Sequence, residues 1–156
     1  MLGSQTLQIQ KRLFGPEHPE TLGTMANLAL TFARQGFWDK AIPLSIQALN
    51  MLKKVYGHEH ARTLAHMRNL AYMYQQQMSH KKAIELWSEA FETSKRALGP
   101  EHRDTFSTMA ELAQSLQAVD QRQSASDLME LCAARSLDGL GPTHPETVER
   151  RQLAED

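Results

Sequence analysis

One heptapeptide recurs along this chain without slippage. Gly15-Pro16-Glu17-His18-Pro19-Glu20-Thr21 returns as Gly57-His58-Glu59-His60-Ala61-Arg62-Thr63. It returns again as Gly99-Pro100-Glu101-His102-Arg103-Asp104-Thr105 and as Gly141-Pro142-Thr143-His144-Pro145-Glu146-Thr147. His18, His60, His102 and His144 each stand 42 positions beyond the one before. Four copies in constant phase require a stack of like units, each burying its apolar face against its neighbours.

The intervals show what each unit is. The first apolar series is Leu22, Met25, Leu28, Ala29, Phe32; its counterparts are Leu64, Met67, Leu70, Ala71, Tyr74 and Phe106, Met109, Leu112, Ala113, Leu116. Steps of three and four mark a helix with one buried stripe. A second series runs Ala41, Leu44, Ala48, Leu49, Leu52, with counterparts beginning at Ala83, Leu86, Ala90, Phe91 and at Ala125, Leu128, Cys132. Each unit is therefore a helix pair, A and B. The pattern predicts A helices near 20–35, 62–77 and 104–119, and B helices near 38–54, 80–96 and 122–138.

The punctuation agrees. Gly15, Gly57 and Gly99 end B helices, and proline at the start of an A helix has no amide to waste. Glu20, Asp104 and Glu146 fall in first turns, where the helix dipole favours negative charge. Gly36 suits the left-handed residue after the first A helix; Met78 and Asp120 hold that place later and specify it less well. Pro43, just past the first turn of a B helix, removes one backbone bond and is expected to bend that helix slightly.

The expected organisation is one domain: half a unit over 2–14, units at 15–56, 57–98 and 99–140, and a closing first helix over 141–156. Leu2, Leu7 and Leu153 are expected to expose apolar surface unless covered. The 41% apolar and 22% charged composition is that of a soluble globular protein. A net charge of -1 gives no electrostatic case for nucleic acid or an acidic membrane surface. One cysteine, Cys132, fits a reducing compartment. Met1 to Gln5 has no cationic region followed by an apolar core, and no stretch is apolar enough to span a bilayer. A cytoplasmic location is expected.

Small residues recur at fixed places: Ala29, Ala71 and Ala113 in A helices, Ala41, Ala83 and Ala125 early in B helices, Ala48 and Ala90 later. A methyl-sized side chain there lets helices approach closely. With Leu-Gly-Pro-Glu-His, Asn27-Leu28-Ala29 and Asn69-Leu70-Ala71, the 42-residue unit resembles the kinesin-light-chain type of tetratricopeptide repeat. The resemblance covers residues 2–155. It implies an all-α, right-handed α-solenoid of antiparallel helix pairs. The third unit departs most, with Glu111 in the asparagine's place and Ser124-Ala125-Ser126 for Lys-Ala-Ile.

Chemistry is scarce. Equivalent points in a helical stack lie roughly 10 Å or more apart. The four repeated histidines therefore cannot converge on one ion; they read as residues shaping the inter-repeat loop by local hydrogen bonds. His58 and His60 make a His-x-His pair with no third ligand at fitting spacing. His66 and His80 read as surface residues, and Trp38 and Trp87 as packing or B-face residues and not ligand anchors. Cys132 sits where alanine packs, so it reads as a small core residue. No phosphate loop, nucleophile elbow or zinc-protease motif is present. The expectation is a non-enzyme without cofactor or metal.

In tetratricopeptide stacks the A helices line a concave groove. The resemblance implies a peptide-binding surface of Asn27, Leu30, Arg34, Arg68, Asn69, Tyr72, Gln75, Gln76, Gln114 and Gln117. Gly23, Ala26, Ala33, Ala65, Ser107, Ala110 and Ala118 leave room for a ligand backbone. Asn and Gln carry both donor and acceptor, and Arg34 and Arg68 suit a carboxylate. Asn27 and Asn69 read equally as braces for the neighbouring helix. The expected function is a protein-interaction module taking a partner domain or an extended segment that is mildly acidic or ends in a carboxylate. The alternatives are self-assembly through the open ends, giving a homo-oligomer, or a regulatory piece of a larger signalling protein.

Overall fold

The structure, a computed structural model, describes residues 2–119, 121, 123–128 and 130. Every regular element among them is a helix. They are α1 (Leu2–Leu13), α2 (Pro19–Arg34), α3 (Trp38–Tyr56), α4 (Ala61–Gln76), α5 (His80–Leu98) and α6 (Arg103–Gln117). The chain is helical again over 123–128. Each helix packs on the next in sequence, and α2 also touches α4. That is an α-solenoid: α2, α4 and α6 are the A helices, and α1, α3 and α5 the B helices. The expectations for Cys132, for the fourth copy with His144, for Leu153 and for the closing helix lie outside the described residues. So do Asp120 and the side chain of Leu2.

The repeated heptapeptide is a helix start. His18, His60 and His102 are N-caps in extended conformation, and each Nδ1 accepts the amide of the residue two further on, at 3.3, 3.1 and 3.1 Å. A helix leaves its first four amides without intrahelical partners. Imidazole here does what serine or asparagine commonly does at an N-cap. Two of the rings also stack on the preceding helix: Phe14 on His18 at 4.8 Å and Tyr56 on His60 at 4.6 Å. The threonine closing each motif is buried; Thr63 donates to the carbonyl of Leu52 at 3.4 Å and Thr105 to that of Gly99 at 2.8 Å. In the second copy the motif therefore ties its A helix back to the B helix before it.

The tight A-to-B turn needs a left-handed residue. Gly36 supplies it at φ 77°, and Met78 adopts φ 62° in the same place one unit on. Fold geometry overrides the local preference of methionine. Pro43 lies inside α3, and the helix runs on past it.

The core is continuous between units. Ala29, Ala41, Ala48, Ala71, Ala83, Ala90, Ala113 and Ala125 are all buried, and Leu22, Met25, Met67 and Met109 fill the space between them. Each fully buried Leu or Met side chain contributes about 1.5–3 kcal/mol. Trp87 is buried among Ala71, Ala83, Leu112 and Leu116, and Trp38 packs beside the core of the first unit.

Three expectations need correction. Leu7 is buried against Leu22, Met25 and Leu52, because α2 covers that face of α1; the exposed apolar residues are Ile9 and Leu13 on α1 and Phe14 just after it. His66 is 3% exposed, on the seam between α3 and α4. His80 is half-buried, and its Nδ1 is enclosed without a partner. His66 was read as a surface residue; α3 of the preceding unit covers that face of α4.

Candidate functional site

The A helices present one face along the solenoid. On α2 it carries Gly23, Ala26 and exposed Asn27; on α4, exposed Ala65 and Tyr72 with half-buried Arg68, Asn69 and Gln75; on α6, exposed Ser107, Gln114 and Gln117 with half-buried Glu111. Leu30 packs instead against the core of the first unit. Arg34 and Gln76, at the far ends of α2 and α4, are exposed.

Between α4 and α6 this face is stitched together. Arg68 donates to Ser107 Oγ at 3.2 Å and pairs with Asp104 at 3.2 Å. Gln75 Nε2 donates to Gln114 Oε1 at 3.2 Å. Three residues that were read as open to a ligand, Arg68, Gln75 and Gln114, are thus engaged with the neighbouring helix. Stepping back one repeat, the places of Arg68 and Gln75 hold Ala26 and Ala33, which have no side-chain donor to offer α4.

The space between helices differs accordingly. Between α2 and α4 a cleft of about 370 Å³ is bordered by Gly23, Ala26, Asn27, Arg62, Ala65 and Asn69, with Leu22, Leu52 and His66 below. Between α4 and α6 lie two smaller hollows of about 340 and 250 Å³, and Arg68 borders both. Trp87 lines the larger; its indole nitrogen is buried with no hydrogen-bond partner among the described residues.

Beneath the first cleft, His66 Nε2 lies 3.0 Å from both the hydroxyl and the carbonyl oxygen of Ser45. A carbonyl only accepts, so Nε2 carries the proton. Burial holds the imidazole below its usual value of 6.5, and the Ser45 carbonyl offsets this in part. The group is neutral at physiological pH.

Among the described residues, no cluster of three or more His, Asp, Glu or Cys side chains is placed to hold a metal. No helix of the described residues is long and apolar enough to cross a membrane.

The tetratricopeptide-repeat family profile matches residues 22–78 and 64–138. The chain belongs to the tetratricopeptide-repeat family. Its structural relatives include a kinesin-light-chain-type protein of Podosopora anserina with nearly identical TPR-like repeats. That likeness has 30% identity and a TM-score of 0.77 over 86% of this chain. A point variant of the same protein gives the same identity and TM-score. BtubC (BKLC) from P. vanneervenii superposes with a TM-score of 0.80 over 92% of this chain at 19% identity, a likeness of fold alone. The chain spans 64%, 63% and 57% of the length of these three. Among curated proteins, none matches the sequence.

Tetratricopeptide repeats are protein-interaction modules, and the fold is typically a non-catalytic scaffold. Sequence reading missed Arg62 on the A-helix face and the buried Ser45–His66 pair beneath it. The charge of Arg62 on a first helical turn was the available signal. Ser45 and His66 carried none, because their meeting is a tertiary contact across 21 residues.

Proposed function

We propose that this tetratricopeptide-repeat chain binds an extended segment of a partner protein along the face of α2, α4 and α6. The observation carrying this reading is the first cleft, where Asn27 and Asn69 border open space between small residues. Tyr72, 51% exposed, stands on the same face of α4. Carboxamides satisfy a peptide's main-chain donors and acceptors. An exposed tyrosine gives a large contact area with a polar tip. With Gly23, Ala26 and Ala65 alongside, a ligand backbone can approach closely.

The test is selection of random displayed peptides on the intact chain, followed by titration of synthetic winners. Asn69→Ala and Tyr72→Ala each reduce affinity about tenfold or more. Glu85→Ala on α5 serves as the control and leaves it unchanged. Unaltered binding by both face variants sinks the reading.

A second reading, association of copies, draws on Ile9, Leu13 and Phe14, which are 57%, 70% and 53% exposed on and just after α1. Light scattering over a dilution series decides it. A concentration-independent monomer, unaffected by Leu13→Lys, removes it.

A further inference from the structure

We infer that the cleft between α2 and α4 is the subsite for an acidic side chain of the bound segment, and that Arg62 meets its carboxylate. The inference rests on the peptide-binding reading and names which arginine does the work.

The internal repeat supplies the argument. At the α4–α6 junction the chain bridges its own gap with a paired side chain. The guanidinium of Arg68 lies across the gap, paired with Asp104 and bonded to Ser107. Arg68 borders both hollows there, as does Ala65. One repeat earlier, the places of Arg68, Asp104 and Ser107 hold Ala26, Arg62 and Ala65. The bridging side chain is gone, and the place of the acid is taken by a cation. What remains is a single cleft of about 370 Å³ with Arg62 at its border.

No carboxylate of the described residues lies within ion-pairing distance of Arg62. Its side chain is instead steadied by Tyr56, donating to the phenol oxygen at 3.4 Å, with the guanidinium 5.7 Å from the ring centre. Such a contact orients the group without neutralising it. A carboxylate brought by a ligand would make in trans the pair that Arg68 and Asp104 make within the chain. The fork of guanidinium donors matches it in two parallel bonds. Arg68 is already paired, so it has far less to gain from a ligand. Glu20 borders the same cleft and opposes an incoming anion.

The experiment uses the selected peptides and the intact chain. Each Asp or Glu of a peptide is exchanged for Asn or Gln, and affinities are measured against wild type, Arg62→Gln, Arg68→Gln and Glu20→Gln. One peptide acid is expected to matter about tenfold in wild type and not at all in Arg62→Gln, the coupling that a double-mutant cycle isolates. Arg68→Gln changes affinity less than about twofold, and Glu20→Gln tightens binding. Arg62 is exposed, and unchanged circular dichroism confirms that the variant folds. An equal acid-to-amide loss in Arg62→Gln overturns the inference, as does a loss that follows Arg68. Basic peptides that depend on Glu20 overturn it too. If Tyr72→Ala and Asn69→Ala weaken binding while Arg62→Gln does not, this assignment alone falls. If neither face variant matters, the groove reading falls with it.

Discussion

His66 Nε2 and the backbone oxygen of Ser45, 21 residues apart in sequence, meet at 3.0 Å inside the seam between the first two full units. The equivalent places are Gly3 with Thr24 one unit earlier, and Trp87 with Thr108 one unit later. The three junctions recur at one interval, yet each fills this point with a different pair of residues. At Gly3 an added Cβ would come 3.1 Å from Leu28 Cδ1, so that junction leaves no room for a larger residue without adjustment.

The first prediction concerns pH. The folded-state pKa of His66 is depressed below 6.5 by burial. The unfolded chain therefore takes up a proton before the folded one does. Stability is unaffected well above pH 6.5 and falls as pH drops below it. His66→Thr, the residue of the neighbouring junctions, is expected to be less stable at pH 7.5, having lost its bonds to Ser45. It should also lose less on acidification. Urea midpoints of both proteins between pH 7.5 and 5 measure this, and the remaining histidines cancel in the difference. Parallel pH profiles would refute it.

A second prediction follows from the A-to-B turns. At Gly36 nothing lies within 4 Å of an added Cβ, so Gly36→Ala pays only for a left-handed backbone at φ 77°. That cost is about 1 kcal/mol. Met78 already bears it at φ 62°. Met78→Gly relieves it, less the greater freedom glycine has when unfolded, for a net gain of about 0.5 kcal/mol. Chemical denaturation of the two variants should give shifts of opposite sign.

The N-cap role of the repeated histidine is directly testable. His102→Ala removes the acceptor that Asp104 N–H uses at 3.1 Å and should cost about 1 kcal/mol. His102→Asn should recover most of that, since asparagine caps by the same geometry. Equal loss in both variants would show that the ring matters for packing and not for its Nδ1.

Ser115 is 1% exposed, and its hydroxyl is buried without a hydrogen-bond partner among the described residues. Met73 fills the equivalent place one unit earlier. Ser115→Ala removes an unpaired buried donor and should raise stability by about 1 kcal/mol. A loss of stability would mean that the hydroxyl has found a partner, a water included.

Much of the fold was legible in the sequence. The described A helices begin at 19, 61 and 103, one residue before the apolar pattern placed them. The B helices α3 and α5 end at 56 and 98, two residues later than expected, because the helix continues to the glycine that stops it. The candidate face was legible in outline only. Asn27, Asn69 and Tyr72 were assigned to the A-helix face from position within the repeat, and they lie on it. That Arg68 and Gln75 would be spent on α6 was not, because each partner lies 39 residues away. Local pattern carries no record of such a pairing.

Periodicity determined the architecture by itself. An apolar stripe at helical spacing has to be covered, and a fixed interval between stripes leaves the neighbouring copy as the cover. Tertiary structure alone decided which polar side chains remain available on that scaffold. Availability depends on whether the next unit offers a counter-charge, a hydroxyl or only a methyl group across the gap. At one junction Arg68 meets Asp104, and at the other Arg62 faces Ala26.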